Sequence, residues 1–206
     1  MNNDPGIVCF RHCSTKSVFS RRVPATCPAC SSQMKNFIVD PFHIPYPFRK
    51  ATHCPTTIVI QPSQGSFLDN YDMKHGLLHA GIVDSNGGIV EFDKKGPIVN
   101  DFARWIKVDC IALEIVPAAW TARWDETLSL ILNDFKWKHI NYDAISMNCF
   151  DFVLEFLNNL RYPELRFMSK EDLCERLIVP KMNNAVRYIS LYRSLKDREY
   201  LLDYQA

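Results

Sequence analysis

Net charge is what this 206-residue chain has least of: 24 Lys and Arg against 23 Asp and Glu leave a formal +1. A near-neutral balance argues against a protein built mainly to coat nucleic acid or an acidic membrane. No stretch reaches the roughly eighteen uninterrupted apolar residues that a spanning helix needs, so no transmembrane segment is expected. Met1 to Gly6 carry no basic and apolar run of the secretory kind. The expectation is a soluble, intracellular protein, cytoplasmic or nuclear. Internal repeats and low-complexity tracts are also missing, which leaves an ordinary globular chain, 47% of it hydrophobic, with enough length for one sizeable core and a small appendage.

Cysteine, by contrast, is present eight times. In a reducing compartment these thiols are expected to serve metal binding, packing or catalysis and not a disulfide framework. Their distribution divides the chain. Residues 1–39 hold four of them and read as a small Cys-rich appendage; residues 40–55, with Pro41, Pro45, Pro47 and Pro55, read as a Pro-rich linker that includes His53 and Cys54. Residues 56–206 read as the main domain with a carboxy-terminal helical extension.

Within that domain the β-branched run from Thr56 to Ile60 predicts a strand. Leu77 to Val83 and Ile89 to Phe92, separated by Asp84-Ser85-Asn86-Gly87-Gly88, predict a β-hairpin. Ile106 to Val116 predicts a further strand, closed by Pro117. Trp120, Trp124, Leu128, Ile131 and Phe135 recur at helical spacing and predict a core-facing stripe, a better fit than a cofactor site because convergent polar partners are missing nearby. Lys136-Trp137-Lys138-His139 reads as a solvated loop, and residues 170–178 and 183–202 as helices. Strands grouped before helices predict an α+β class with an antiparallel sheet packed on helices.

Two residues in this frame carry chemistry. His79 lies on the first hairpin strand. If Val83 faces Ile89 across the turn, His79 lies opposite Asp93 and on the same sheet face as Glu91, so either carboxylate could orient its ring. Cys149 opens a helix whose apolar stripe runs Phe152, Val153, Phe156, Leu157, Leu160, with Asn148 as its N-cap. Unpaired amides and the helix dipole at that end favour a thiolate, and a nearby imidazole can take the thiol proton. The plainer alternative is a buried Cys149 acting as a small hydrophobe and a hydrogen-bonded core His79.

Gly76-Leu77-Leu78-His79-Ala80-Gly81-Ile82-Val83, Glu91-Phe92 and Asn148-Cys149-Phe150-Asp151-Phe152 resemble the permuted papain-like superfamily: PPPDE isopeptidases and, more distantly, the lecithin retinol acyltransferase group. In those families the histidine precedes the cysteine, as here. The resemblance covers roughly residues 56 to 160 and implies a permuted papain-like domain with Cys149 as nucleophile and His79 as general base. Phe150-Asp151 stands where PPPDE members usually carry a further Asn or His, and Glu91 lies near the position of the acyltransferases' second histidine. Over its whole length the chain is similar to the makorin-2 opposite-strand family, in its amino-terminal His-Cys and Cys-Pro-x-Cys pattern and in a carboxy-terminal domain of unknown function.

The appendage holds a second constellation. Cys27-Pro28-Ala29-Cys30 has the spacing of a zinc knuckle, and Cys9 and Cys13 could complete four thiolates around a structural Zn2+. His12 could replace one of them, although adjacent His12 and Cys13 are expected to strain a shared site. Arg11, Lys16, Arg21, Arg22 and Lys35 make this region locally basic, which permits an acidic partner without a strong nucleic-acid signal. Three functions are therefore open: a cysteine hydrolase of amide, isopeptide or thioester bonds acting on a protein or acylated substrate, an inactive papain-like binding module, or a zinc-knuckle adaptor.

Overall fold

The computed structural model describes residues 4–100, 102–138, 142–167 and 169–203. The chain divides into two compact units, one of residues 3–47 with 184–206, the other of residues 48–183.

The smaller unit is an antiparallel sheet of β1 (Val8–Arg11), β2 (Val18–Ser20), β3 (Val39–His43) and the chain's last strand, β9 (Tyr200–Leu202), in the order β3-β1-β2-β9. Val8, Phe10 and Val18 form its core, with Met34 and Phe37 packed against them. The expected boundaries shift accordingly. Residues 39–43 pair with β1 and are not a linker; Pro41 is tolerated because β3 is an edge strand, where a missing N–H breaks no central ladder. Residues 200–202 pair with β2 and do not extend a helix.

The larger unit is built on a five-stranded antiparallel sheet ordered β7-β6-β5-β4-β8: β4 (Thr57–Pro62), β5 (Leu78–Val83), β6 (Ile89–Asp93), β7 (Gly96–Val99) and β8 (Ile111–Leu113). The β5–β6 turn forms because Asp84 Oδ1 accepts from the amides of Asn86 (2.8 Å) and Gly88 (2.7 Å). Gly87 adopts φ +84° there, and a Cβ on it would lie 2.8 Å from the Thr52 carbonyl. The register pairs Val83 with Ile89 and Gly81 with Glu91, the pairing that the hydrophobic alternation requires.

Four helices accompany the sheet: α1 (Phe102–Trp105), α2 (Thr121–Asn133), α3 (Phe135–Lys138) and α4 (Cys149–Leu160). They are followed by α5 (Lys170–Leu173), a π-helical turn at Cys174–Ile178, and α6 (Val179–Ser194), whose residues from 184 onward belong to the smaller unit. Helix α4 buries Phe152, Val153, Phe156, Leu157 and Leu160 in the stripe its spacing predicts. It packs on β5 and β6, with the Phe152 ring stacked on Phe92 at 5.9 Å. Mixed helix and antiparallel sheet make the chain α+β.

Local readings fail in four places. The strand expected over 106–116 shrinks to β8, because only Ile111 to Leu113 find partners on β4, while the residues before it turn to bury Trp105 completely. In the helical stripe Trp124, Leu128 and Ile131 are buried, but α2 stops at Asn133, where Asp134 turns to extended backbone and leaves Phe135 exposed. Trp137 is not in a solvated loop: it is fully buried between Phe92 and Phe152 and donates from Nε1 to Glu155. His139 of the same segment lies outside the described residues. Cys54, expected in the linker, is buried behind the short 3-10 turn Ala51–His53.

Candidate functional site

Helix α4 presents Cys149 at its first position because Asn148 caps it. The Asn148 side chain accepts from the Phe150 amide (2.8 Å) and the Asp151 amide (3.4 Å), and Asp151 returns a bond to the Asn148 amide (2.9 Å), a complete capping box. Lys170 holds Asp151 from outside at 2.9 Å. These bonds leave the Cys149 amide without a partner among the described residues.

The sheet presents the base. Strand β5 carries His79 on the face shared with Gly81, and the Gly81–Glu91 pairing places Glu91 diagonally from the ring. His79 Nε2 donates to Glu91 Oε2 and lies 3.2 Å from Arg104 Nη1. Cys149 lies near enough to the His79 ring to help raise its pKa. The structure therefore brings Cys149 into the neighbourhood of the bonded His79–Glu91 pair. All three are buried: Cys149 is 4% exposed, His79 7% and Glu91 1%.

Asp93 does not compete with Glu91 for the ring. Its Oδ1 is taken by the Lys95 amide in the tight turn that follows, and its Oδ2 lies 3.7 Å from Arg104. Arg104, on α1, is a member of the site that sequence reasoning missed. Its Nη1 donates to Glu91 Oε2 at 2.8 Å, so guanidinium and imidazole share one carboxylate oxygen. Tyr142, stacked on Phe92 at 6.0 Å, was missed too; burial raises its phenol, and the charges of Cys149 and Asp93 add to the shift. Gln61 pairs directly with His79 across β4 and β5, is 2% exposed, and keeps an unpartnered Oε1. One polar residue closing the apolar run Ile58-Val59-Ile60 was the available signal for it. For Arg104 and Tyr142 no local signal existed.

Electrostatics favour a charged His79–Glu91 pair. Burial alone would lower the His79 pKa, but hydrogen bonds and charge from Cys149 and Glu91 outweigh it and raise the value from 6.5 to about 9. Burial would raise that of Glu91, and the bonds from His79 and Arg104 reverse this and hold it low. A raised histidine contributes stability that is complete below its unfolded value and is lost as pH rises through its folded one. Stability should therefore fall between about pH 6.5 and pH 9. Urea unfolding of wild type and His79→Gln across that window checks this: the variant should show the flatter profile, and parallel curves would contradict the assignment.

In the smaller unit His12, Cys13, Cys27 and Cys30 form a second cluster, with one ligating atom from each lying within 4.8 Å of the others. These residues could hold a metal ion. Cys9 is not in the set, which corrects the four-thiolate expectation: it is buried within β1, paired with Phe19 and Phe42.

Comparison with known proteins gives a family and no activity. The DUF4796 C-terminal family model matches residues 41–195 and the DUF4796 N-terminal model residues 5–34. A human relative, MKRN2 opposite strand protein, is 27% identical over 199 residues, covering 94% of this chain and 87% of its own length. No solved structure matches the chain.

Proposed function

The chain belongs to the DUF4796 family, and we propose that its larger unit is a cysteine hydrolase of amide, isopeptide or thioester bonds, built as a permuted papain-like domain. The observation that carries this reading is the neighbourhood of Cys149, at a capped helix start, and His79, which has a buried carboxylate behind its imidazole. The chemistry follows from those positions. His79 already holds the proton that Cys149 gives up when sulfur attacks the carbonyl carbon. The oxyanion forms beside the Cys149 amide. Its collapse breaks the bond to the leaving amine or thiol, which receives the proton from His79. Water then attacks the thioester while His79 takes a proton again, releasing the acid and the free thiol. Glu91 and Arg104 fix the ring and balance its charge without leaving the site.

Burial of Cys149 and His79 favours a second reading, a papain-like binding module in which the pair is structural. Thiol reactivity separates the two. Iodoacetamide at neutral pH, with sites mapped by mass spectrometry, should label Cys149 ahead of the other seven cysteines of the folded protein. His79→Ala should slow that labelling roughly 10-fold, since an unassisted thiol is only a few per cent ionised near pH 7. A Cys149 that is no more reactive than the rest, and indifferent to His79, would favour the binding module.

The cluster in the smaller unit is read as a zinc-knuckle-like structural centre. Four protein ligands would leave no open position for a substrate or an activated water, so it takes no part in the acyl transfer.

A further inference from the structure

We propose that Cys13, Cys27, Cys30 and the Nδ1 nitrogen of His12 bind one zinc ion, with His12 filling the place that a fourth cysteine would take. This rests on reading the smaller unit as metal-held and is independent of the hydrolase reading.

Two of the distances are those of a tetrahedron's edges. Zn–S bonds of about 2.3 Å and Zn–N bonds of about 2.0–2.1 Å require S···S edges of about 3.8 Å and N···S edges of about 3.5 Å. Cys13 Sγ and Cys27 Sγ are 3.8 Å apart, and Cys30 Sγ lies 3.5 Å from His12 Nδ1. The remaining separations stay within 4.8 Å, so a modest closure around an ion completes the figure. Three sulfurs and an imidazole are a donor set that suits zinc, whereas calcium and magnesium require oxygen.

The surroundings are those of a ligated site. His12 Nε2 lies 2.9 Å from the Lys35 carbonyl, a contact that fixes the proton on Nε2 and leaves Nδ1 as the lone-pair donor. The Ala29 amide donates to Cys27 Sγ at 3.4 Å, which would offset thiolate charge. The knuckle turn is closed by the Ser31 amide to the Cys27 carbonyl (2.8 Å) and the Cys27 amide to the Ser32 carbonyl (2.8 Å), with Ser31 at φ +60°. Adjacent His12 and Cys13 can share the ion because β1 ends at Arg11. Successive side chains point to opposite faces on a strand, but the bend beyond Arg11 frees both to turn inward. Cys9, two residues inside the strand, has no such freedom.

The full-length protein, purified without chelator or immobilised-metal resin, should contain about one zinc per chain, since four ligands suit one tetrahedral ion. Cys27→Ser/Cys30→Ser should lose it, His12→Ala should lose it or bind at least 10-fold more weakly, and Cys9→Ser should keep it. Stripping wild type with a strong chelator should make three more thiols titratable, and restoring zinc should protect them again; this readout does not depend on any variant folding. Wild type that carries no metal, and whose thiol count ignores zinc and chelator, would overturn both the ligand set and the metal-held reading. Zinc retained by His12→Ala but lost from Cys9→Ser would overturn the ligand set alone. Stoichiometric iron in place of zinc would overturn the identity of the ion.

Discussion

Glu91→Ala should destabilise the larger unit by about 3–5 kcal/mol, the cost of removing one partner from a buried, paired set of charges. Glu91 is 1% exposed and its Oε2 accepts from both His79 and Arg104, so its loss leaves a guanidinium and an imidazole against each other with only Asp93, 3.7 Å from Arg104, as counter-charge. Urea denaturation near neutral pH measures the effect. Without the carboxylate the His79 pKa should also fall, so the variant's stability should depend less on pH above about 6.5 than that of wild type. Glu91→Gln, which keeps the shape, should share the flatter pH profile while unfolding less readily than Glu91→Ala. A loss under about 1 kcal/mol for Glu91→Ala would mean that water reaches the carboxylate and screens its pairing with His79 and Arg104.

Trp124→Ala is expected to cost a similar 3–5 kcal/mol, for a different reason. The indole is fully buried on α2, stands edge-on to Phe156 of α4 at 4.7 Å, and donates from Nε1 to the Val83 carbonyl at 2.9 Å. It therefore joins α2 to the helix that carries Cys149 and to the strand that carries His79. Alanine opens a cavity and strands a carbonyl, whereas Trp124→Phe keeps most of the packing and loses mainly the hydrogen bond, about 1–3 kcal/mol. Thermal or chemical unfolding of the pair separates the two contributions. Equal losses for both variants would place the whole effect in the hydrogen bond.

How much of this was legible beforehand depended on the range of the interaction. The hairpin register follows from alternation and a turn rich in Asp, Asn and Gly, so the neighbourhood of His79 with Glu91 could be worked out residue by residue. Helix α4 was equally legible, through its cap and its 3.6-residue stripe. The choice between Glu91 and Asp93 was not. Both lie on the correct face, and it is the turn bond from Lys95 to Asp93, together with Arg104 arriving from α1, that selects Glu91. Trp137 misled because flanking lysines resemble a solvated segment, yet Lys136 lies over the indole, 4.8 Å from its centroid, with its charge on Glu155, while the ring fills the core.

The sequence by itself determined the elements that bear the chemistry: a strand with a histidine, a capped helix with a cysteine, and a knuckle of two cysteines, because alternation, helical period and turn residues act over a few positions. Only the tertiary structure decided the company those groups keep. Arg104, Tyr142 and Gln61 join the His79 site, His12 stands in place of Cys9 in the cluster that could hold a metal, and the carboxy-terminal residues join the smaller unit. The physical reason is that each of these depends on where the chain bends and on contacts between residues far apart in it. Burial and pairing set such contacts, and no local pattern encodes them.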